Sequence, residues 1–235
     1  MGNNSNSSAS QPTVSSSVLS IDLTTNPADR RVTDGRQLRE QATGLLTSSN
    51  GEGTGFIISI PDRYILTCCH VVEGAESDIL FKMNCKREFE TMAHVLWQDF
   101  EQDMTLLQLD EIPDDAYYVQ IDSDIDHDPD PSDPEEMTKL LLCSYPKGSK
   151  VAKTPTFSNG EVNNFEKKHQ WNERCFDTIL TSIGGTTHGC SGGPVVRESD
   201  FMLVGLLQGG MDGSNIQFIT DIHQLFRHKN LDMKC

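Results

Sequence analysis

The feature that most limits how this chain can fold is a series of short apolar segments separated by Gly, Pro, Asp and Asn. Each segment is rich in β-branched residues or alternates apolar and polar residues, as strands with one buried face do. Many short strands with frequent turn signals are typical of β-barrels and β-sandwiches. The segments are GTGFIISI, RYILTCCHVV, DILFKMN, AHVLWQD, MTLLQLD, KLLLCSYP, TILTSI, GPVVRE, FMLVGLLQGG and IQFITDI. We therefore predict an all-β fold.

An acidic stretch separates these segments into two sets. Residues 110–136 hold twelve of the 35 Asp and Glu residues and no Lys or Arg, and three prolines lie between positions 129 and 134. Such a composition is typical of an extended, solvated linker. The economical arrangement is two barrels with a cleft between them. Residues 38–118 would form the first barrel, 119–137 the linker, and 138–235 the second barrel.

The alternating aspartates of the linker suggest a second interpretation, a calcium site, because hard cations bind several carboxylate oxygens. The residues concerned are Asp122, Asp124, Asp126, Asp128 and Asp130. The Gly turn and the closing Glu of an EF-hand loop are missing, however. We therefore favour a solvated linker, and calcium binding stays an alternative.

The two ends of the chain are expected to differ. Residues 1–37 begin with a Ser- and Asn-rich stretch that cannot bury enough apolar surface to order itself, so we expect a flexible tail. Near the other end, TDIHQLFRHKN begins with capping residues and places Ile222, Leu225 and Phe226 on one face of a helix. We predict one short C-terminal helix there.

Composition and charge argue against several classes of protein. The longest apolar runs are far shorter than the ~20 residues that span a bilayer, so no membrane helix is expected. The net charge of -16 comes mainly from the acidic stretch, whereas nucleic-acid binding would require a basic face. The seven cysteines show neither zinc-type spacing nor a disulfide framework, and the N-terminus lacks the features of a secretory signal. We therefore expect free thiols and a cytoplasmic protein.

The stretch HGCSGGPVV, residues 188–196, is the strongest indication of chemistry. It places Ser191 on a glycine-rich turn just before an apolar strand. A Ser hydroxyl attacks a carbonyl only when a base removes its proton and N–H donors stabilise the developing oxyanion. Gly189 lets the backbone turn so that the N–H groups of Gly189 and Ser191 can form that oxyanion hole.

His70 is the histidine best placed to act as the base, because it ends the apolar strand RYILTCCHVV at the mouth of a loop. The acid that orients the base should be buried at the end of an element, and Asp103 immediately precedes the apolar strand MTLLQL. Asp99 and Asp110 are alternatives that turns would explain equally well. This scheme needs no metal and no cofactor.

With TCCHVV, DMTLL and GCSGGP in this order, the chain resembles the trypsin/chymotrypsin-fold serine endopeptidases over about residues 42–228. It is most similar to the Deg/HtrA-like, bacterial-type branch, but we expect no PDZ segment after the protease domain. The resemblance implies two six-stranded antiparallel β-barrels. It also implies a triad of His70, Asp103 and Ser191 that hydrolyses peptide bonds of protein substrates.

The departures from the secreted branch are informative as well. Cys190 stands where zymogen-activated members have an aspartate that pairs with a newly cut N-terminus, so we expect no activation of that kind. Gly185 stands where a trypsin-like pocket holds an acid, so cleavage after Lys or Arg is not expected. Thr186, His188 and Gln208 are the other candidate pocket residues.

Two alternatives to a serine peptidase stay open at this point. The barrels could bind peptides or a partner without cleaving them. Hydrolysis could also use Cys190, since a thiol beside a histidine is easily activated. The expected partners are protein or peptide substrates and a regulatory protein, and neither nucleic acid nor a membrane is expected.

Overall fold

Strands dominate the part of the chain that the structure describes, and helices are short. The structure is a computed structural model, and it describes residues 18–49, 51–75, 78–84, 88–121, 138–148, 153–171, 174–211, 214–223, 225 and 231–234. The strands are β1 (Leu19–Asp22), β2 (Thr43–Ser48), β3 (Gly51–Ser59), β4 (Tyr64–Thr67), β5 (Ile79–Asn84), β6 (Glu88–Asp99), β7 (Met104–Leu109), β8 (Lys139–Ser144), β9 (Thr156–Trp171), β10 (Arg174–Thr181), β11 (Pro194–Arg197), β12 (Leu203–Gly210), β13 (Gln217–Asp221) and β14 (Leu231–Lys234). The helical segments are 3-10 turns at Leu23–Thr25 and Ala28–Arg30, α1 (Gly35–Gln37), a π-type turn at Leu38–Ala42, and α2 (Cys69–Val72). The prediction of a mostly β fold is confirmed.

Twelve of these strands close into two antiparallel barrels. The first barrel has the order β2-β3-β4-β7-β6-β5, and the second has the order β10-β13-β12-β11-β8-β9. Closure leaves neither barrel with an unpaired edge strand. The acidic stretch predicted to join them falls largely on residues 122–137, outside the described residues, as do the five aspartates considered for calcium.

Strand β8 explains how the two barrels pack together. Its side chains alternate between two apolar clusters, because successive residues of a strand point to opposite faces. Leu140 and Leu142 belong to the core of the second barrel, while Leu141 and Cys143 belong to the larger core that is centred on the first barrel. Each fully buried apolar side chain of this kind contributes about 1.5–3 kcal/mol. The near-continuous apolar run of β8 therefore reflects burial on both faces.

The segment 18–37, which we expected to belong to the flexible tail, forms part of the fold. Strand β1 pairs in parallel with β14, from Leu19 opposite Leu231 to Asp22 opposite Lys234. Ile21 and Val32 are each 1 % exposed and pack in the larger core. These apolar side chains, spaced widely within a polar stretch, anchor the segment. Residues 1–17 lie outside the described part.

The end of the chain differs from the predicted helix at its start, whereas Leu225 has helical backbone as predicted. Thr220 and Asp221 finish strand β13 instead of capping a helix, and a turn follows at residues 222–223. Ile222 and Leu225 are buried in the larger core, as their spacing suggested. Residues 224 and 226–230 lie outside the described part. Within the described residues, no helix has the length and apolar character to cross a membrane.

Candidate active site

The loop that carries Ser191 runs from the end of β10 to the start of β11, and two of its glycines are required by geometry. Gly189 has a φ of +90° and Gly192 has a φ of +82°. Residues other than glycine rarely adopt this backbone conformation. A Cβ at Gly192 would overlap the Thr54 carbonyl oxygen and the Thr67 hydroxyl, and it would lie 3.1 Å from the Cys68 nitrogen. The glycine-rich turn therefore lets the loop pack directly against the end of β4.

The backbone of this loop presents two N–H groups in a fixed direction. The His188 carbonyl accepts from the Lys147 N–H at 2.5 Å, and the Cys190 carbonyl accepts from the Gly193 N–H at 3.0 Å. Because C=O and N–H point in opposite directions across a trans peptide, these bonds orient the N–H groups of Gly189 and Ser191. Neither N–H donates to any residue that the structure describes.

His70 and Asp103 form a close pair at the adjoining end of the first barrel. His70 lies in α2, where the chain turns after β4, and Asp103 immediately precedes β7. The Nδ1 of His70 is 2.6 Å from Oδ2 of Asp103, and the His70 backbone N–H donates to Oδ1 at 3.0 Å. The Asp103 side chain is 4 % exposed and that of His70 is 34 % exposed. The aspartate thus fixes an imidazole that stays open to the surface.

The two alternative acids have other partners. Asp99 accepts from the N–H groups of Glu101 and Gln102, as a turn residue does. Asp110 pairs with the exposed side chain of His94 at 2.9 Å. Asp103 is therefore the carboxylate that holds His70 by hydrogen bonds. Its φ of +54° is unusual for a residue with a side chain, and backbone strain of this kind is often found at functional sites.

Strand β12 connects the two halves of the site. The Ser191 hydroxyl donates to the Gln208 carbonyl at 3.3 Å, and the Cys68 thiol donates to the neighbouring Leu207 carbonyl at 3.3 Å. The Thr220 hydroxyl of β13 donates to the Gln102 carbonyl at 3.2 Å, one residue before Asp103. Bonds between the barrels thus hold the Ser191 loop beside the segments of His70 and Asp103.

Thr54 is a residue of the site that the sequence analysis missed. Its N–H donates to the Ser191 carbonyl at 2.8 Å and its hydroxyl donates to the Gly189 carbonyl at 2.8 Å, while that hydroxyl accepts from the Tyr145 N–H at 3.1 Å. Thr54 is fully buried in β3. It therefore fixes the Ser191 loop to the first barrel. The only signal in the sequence is its place between Gly53 and Gly55, which indicates close backbone approach without indicating to what.

Thr54→Val is expected to weaken both the fold and the site. Valine keeps the shape but removes the two hydrogen bonds that the Thr54 hydroxyl makes, to the Gly189 carbonyl and from the Tyr145 N–H, at a cost of about 2–4 kcal/mol. We expect the Tm to fall by roughly 10 °C and any peptidase kcat to fall about 10- to 100-fold through misplacement of the loop. Thr54→Ser keeps the hydroxyl and is the matched control. Equal losses in both variants would show that the hydroxyl does not position the loop.

The cysteines near the site are buried and free. Cys190 is 2 % exposed, packs in the core of the second barrel, and its sulfur accepts from the Thr187 N–H at 3.4 Å. Burial raises the pKa of Cys68 well above its usual range, and it raises the pKa of Cys69 to about 12. These two thiols are therefore protonated at neutral pH.

Cys68, His70 and Asp103 place three possible metal ligands within 4.8 Å of one another. A metal would need the Cys68 thiolate, whose formation burial opposes, and it would need atoms that the His70–Asp103 hydrogen bond already uses. The donor set therefore fits a hydrogen-bonded His–Asp pair better than a metal centre.

The candidate pocket residues lie in two different surroundings. Gly185 and His188 are exposed, Thr186 is half-buried, and Gly185 has φ +76°. Gln208 is 1 % exposed at an irregularity of β12, and neither its Nε2 nor its Oε1 has a partner among the described residues. Its amide therefore donates to no described group, Asp103 included.

Two surface cavities lie away from this site. One of about 510 Å³ is lined by Thr138, Lys139 and residues 197–200, and one of about 420 Å³ lies between residues 23–31, Ile58 and residues 118–121. Neither is lined by His70 or Ser191. We therefore locate the candidate active site from the residues around Ser191 and His70, and not from the volume of a cavity.

Several solved structures with a similar fold are proteases. A serine endoprotease from Yersinia pestis superposes with a TM-score of 0.62 at 18% identity, over 82% of this chain and 62% of that one. The HtrA-type protease AlgW with a tripeptide gives 0.64 at 19% identity, over 82% and 60%. The active form of a protease from M. tuberculosis gives 0.63 at 16% identity, over 95% and 91%. These likenesses establish the fold, and this chain spans about three fifths of the first two proteins.

Sequence comparison identifies the family. A comparison with curated protein sequences finds no match. Residues 53–206 match the family described as "Trypsin-like peptidase domain". This range begins one residue before Thr54 and includes His70, Asp103 and Ser191, so the resemblance to trypsin-fold serine proteases is confirmed. The chain belongs to the family of trypsin-like peptidase domains.

Proposed function

We propose that this protein is a serine endopeptidase that hydrolyses peptide bonds of protein substrates. The observation that carries the proposal is the packing of the Ser191 loop against the end of β4, beside a His70–Asp103 pair joined at 2.6 Å. Membership of the trypsin-like peptidase family supports the same reaction class. Proteins and peptides are the expected substrates.

In the proposed mechanism, His70 is the general base and Ser191 the nucleophile. Asp103 accepts a hydrogen bond from the Nδ1–H of His70, which keeps the proton on Nδ1 and leaves the Nε2 lone pair to take the proton of the Ser191 hydroxyl. The Ser191 oxygen then attacks the substrate carbonyl. The imidazolium next protonates the leaving amine, and water releases the acyl group by the same steps in reverse order.

The oxyanion formed in this attack would be stabilised by the N–H groups of Gly189 and Ser191. Both are oriented by bonds to the carbonyls of their own peptide units, and no described residue accepts from them. Donors that are fixed before the reaction need no reorganisation in the transition state. Removal of one such donor typically lowers kcat by about 10²- to 10³-fold.

Cys190 is the rival nucleophile, and its surroundings favour a packing role. Its side chain lies among the apolar residues of the second barrel, whereas the Ser191 hydroxyl lies at strand β12 near the barrel junction. A nucleophile must reach a substrate carbonyl and its base. We therefore assign the attack to Ser191.

Covalent labelling tests the proposed function. We expect a fluorophosphonate probe to label the full chain once, and peptide mass spectrometry to place the label on Ser191. Cys190→Ala should be labelled at a similar rate. A label found on Cys190, or a label that is lost in Cys190→Ala, would support the thiol mechanism. An absence of both labelling and peptide cleavage would support a binding module without catalysis.

A further inference from the structure

Three residues at one end of the second barrel lie opposite one another on neighbouring strands. Thr181 ends β10, Gln217 begins β13 and Gly210 ends β12, and the register pairs Thr181 with Gln217 and Gln217 with Gly210. Residues that are directly opposite share a face of the sheet. Ile179 and Ile219, two positions away along β10 and β13, lie in the core of the second barrel. Within this row of three residues, Thr181 and Gln217 therefore face the barrel interior, and Gly210, which is exposed, lies beside them at the end of the barrel.

The row lies at the barrel end that carries Ser191. The loop that leaves β10 at Thr181 leads to Ser191, and the Ser191 hydroxyl donates to the Gln208 carbonyl, two residues before Gly210. The side chain of Cys190, the residue before Ser191, packs in the same core as Ile179 and Ile219. A substrate side chain next to the bond that Ser191 attacks is therefore close to this row.

The row holds polar atoms that no described residue satisfies. Thr181 is 0 % exposed and Gln217 is 5 % exposed, and neither the hydroxyl of Thr181 nor Oε1 of Gln217 has a hydrogen-bond partner. The amide of Gln217 packs over the bare backbone of Gly210, since a Cβ there would overlap Oε1 and would lie 2.7 Å from Cδ and Nε2. Buried polar atoms are rarely left unpaired in proteins. A bound molecule that supplies the partners would account for them.

The loop between Thr181 and Ser191 leaves space for such a molecule. A Cβ at Gly184 would meet nothing within 4 Å, and a Cβ at Gly185 would meet only the Ser158 hydroxyl at 3.8 Å. Both glycines are exposed. The bare backbone of these two glycines, a few residues after Thr181, is suited to admit a side chain of moderate size.

We infer that Gln217, with Thr181, determines specificity by binding a carboxamide side chain, glutamine or asparagine, next to the scissile bond; the inference rests on the proposed function. A carboxamide N–H can donate to Oε1 of Gln217 while its carbonyl accepts from the Thr181 hydroxyl. An alkyl side chain leaves both atoms unpaired. Lys or Arg finds no carboxylate in the row, and Glu or Asp places an oxygen against Oε1.

Matched peptides test this inference. One pair differs only by glutamine or norleucine on the acyl side of the scissile bond, and a second pair differs by asparagine or leucine. For the parent protein we expect kcat/KM to be about 100-fold higher for the carboxamide peptide than for the alkyl peptide in at least one pair. The alkyl side chain leaves polar atoms of the site unpaired, and each lost hydrogen bond lowers kcat/KM about ten-fold or more. Gln217→Met, which is nearly isosteric, should lower that ratio to about 1.

Thr178→Val is the matched control for this experiment. The Thr178 hydroxyl is also buried without a partner among the described residues, but Thr178 lies on the opposite face of β10, so the ratio should not change.

Circular dichroism verifies that each variant is folded, and Thr181→Val replaces Gln217→Met if the latter is not. A parent ratio near 1, or an unchanged ratio in folded Gln217→Met, would overturn the inference while fluorophosphonate labelling persists. Loss of all labelling and cleavage in the parent would overturn the proposed function together with it.

Discussion

Ser191→Ala is expected to lower the kcat of peptide hydrolysis by about 10⁶-fold, the largest effect of any single substitution in this chain. Alanine has no oxygen to attack the carbonyl, and the oxyanion donors alone would retain only a slow reaction with water. The fold should persist, because the Ser191 hydroxyl makes one hydrogen bond within the described part of the chain, to the Gln208 carbonyl at 3.3 Å. Quenched fluorescent peptides and thermal unfolding measure the two properties.

The matched control for this substitution is Ser199→Ala. Ser199 is exposed in the turn after β11 and takes no part in the site, so both kcat and Tm should stay at the parent values. If Ser191→Ala retains more than about 1% of the parent kcat, the nucleophile is another residue, and Cys190 is then the first to examine.

Asp103→Asn is expected to lower kcat about 10⁴-fold at neutral pH. The carboxylate now accepts two hydrogen bonds from His70, one from the backbone N–H and one at Nδ1. An amide has one acceptor oxygen, so it must present its NH₂ to one of these two positions. With the NH₂ toward Nδ1, the imidazole would carry its proton on Nε2 and could not accept the Ser191 proton. Steady-state kinetics with one peptide over the neutral pH range measures the effect.

Asp110→Asn provides the control for the aspartate substitution. Asp110 also contacts an imidazole, that of His94 at 2.9 Å, but both side chains are more than half exposed and outside the site. Exposed pairs of this kind contribute little, so kcat should be unchanged. A decrease of less than ten-fold in Asp103→Asn would contradict a role for this carboxylate in holding the base.

Local signals in the sequence predicted the strands and the candidate residues His70, Asp103 and Ser191. Strand periodicity identified the mostly β fold, and the position of Asp103 just before an apolar strand led to the residue that contacts His70. Asp99 could be separated from it only in the structure, where its carboxylate is bonded to neighbouring N–H groups of a turn. The strand periodicity and the position of Asp103 could both be read from residues that are close together in the sequence.

The features that the sequence did not predict depend on contacts between distant segments. Thr54 lies 137 positions before Ser191 and resembles any other strand threonine until the register of the barrels places it against the loop. The pairing of β1 with β14 joins the two ends of the described chain and draws residues 18–37 into the fold. Gln217 is similarly defined by its opposite neighbours, Thr181 and Gly210.

The alternating side chains of β8 also limit how this molecule could be regulated. Leu140 and Leu142 lie in the core of the second barrel and Leu141 and Cys143 in the larger core, so moving the barrels apart as rigid bodies would expose Leu141 and Cys143 to water. Hinge-like opening is therefore too unfavourable to serve as a switch. A change that turns activity on or off would instead reorient single peptide groups near Ser191. Loss of the hydrogen bond from the Lys147 N–H to the His188 carbonyl is one such change, because this bond orients the N–H of Gly189.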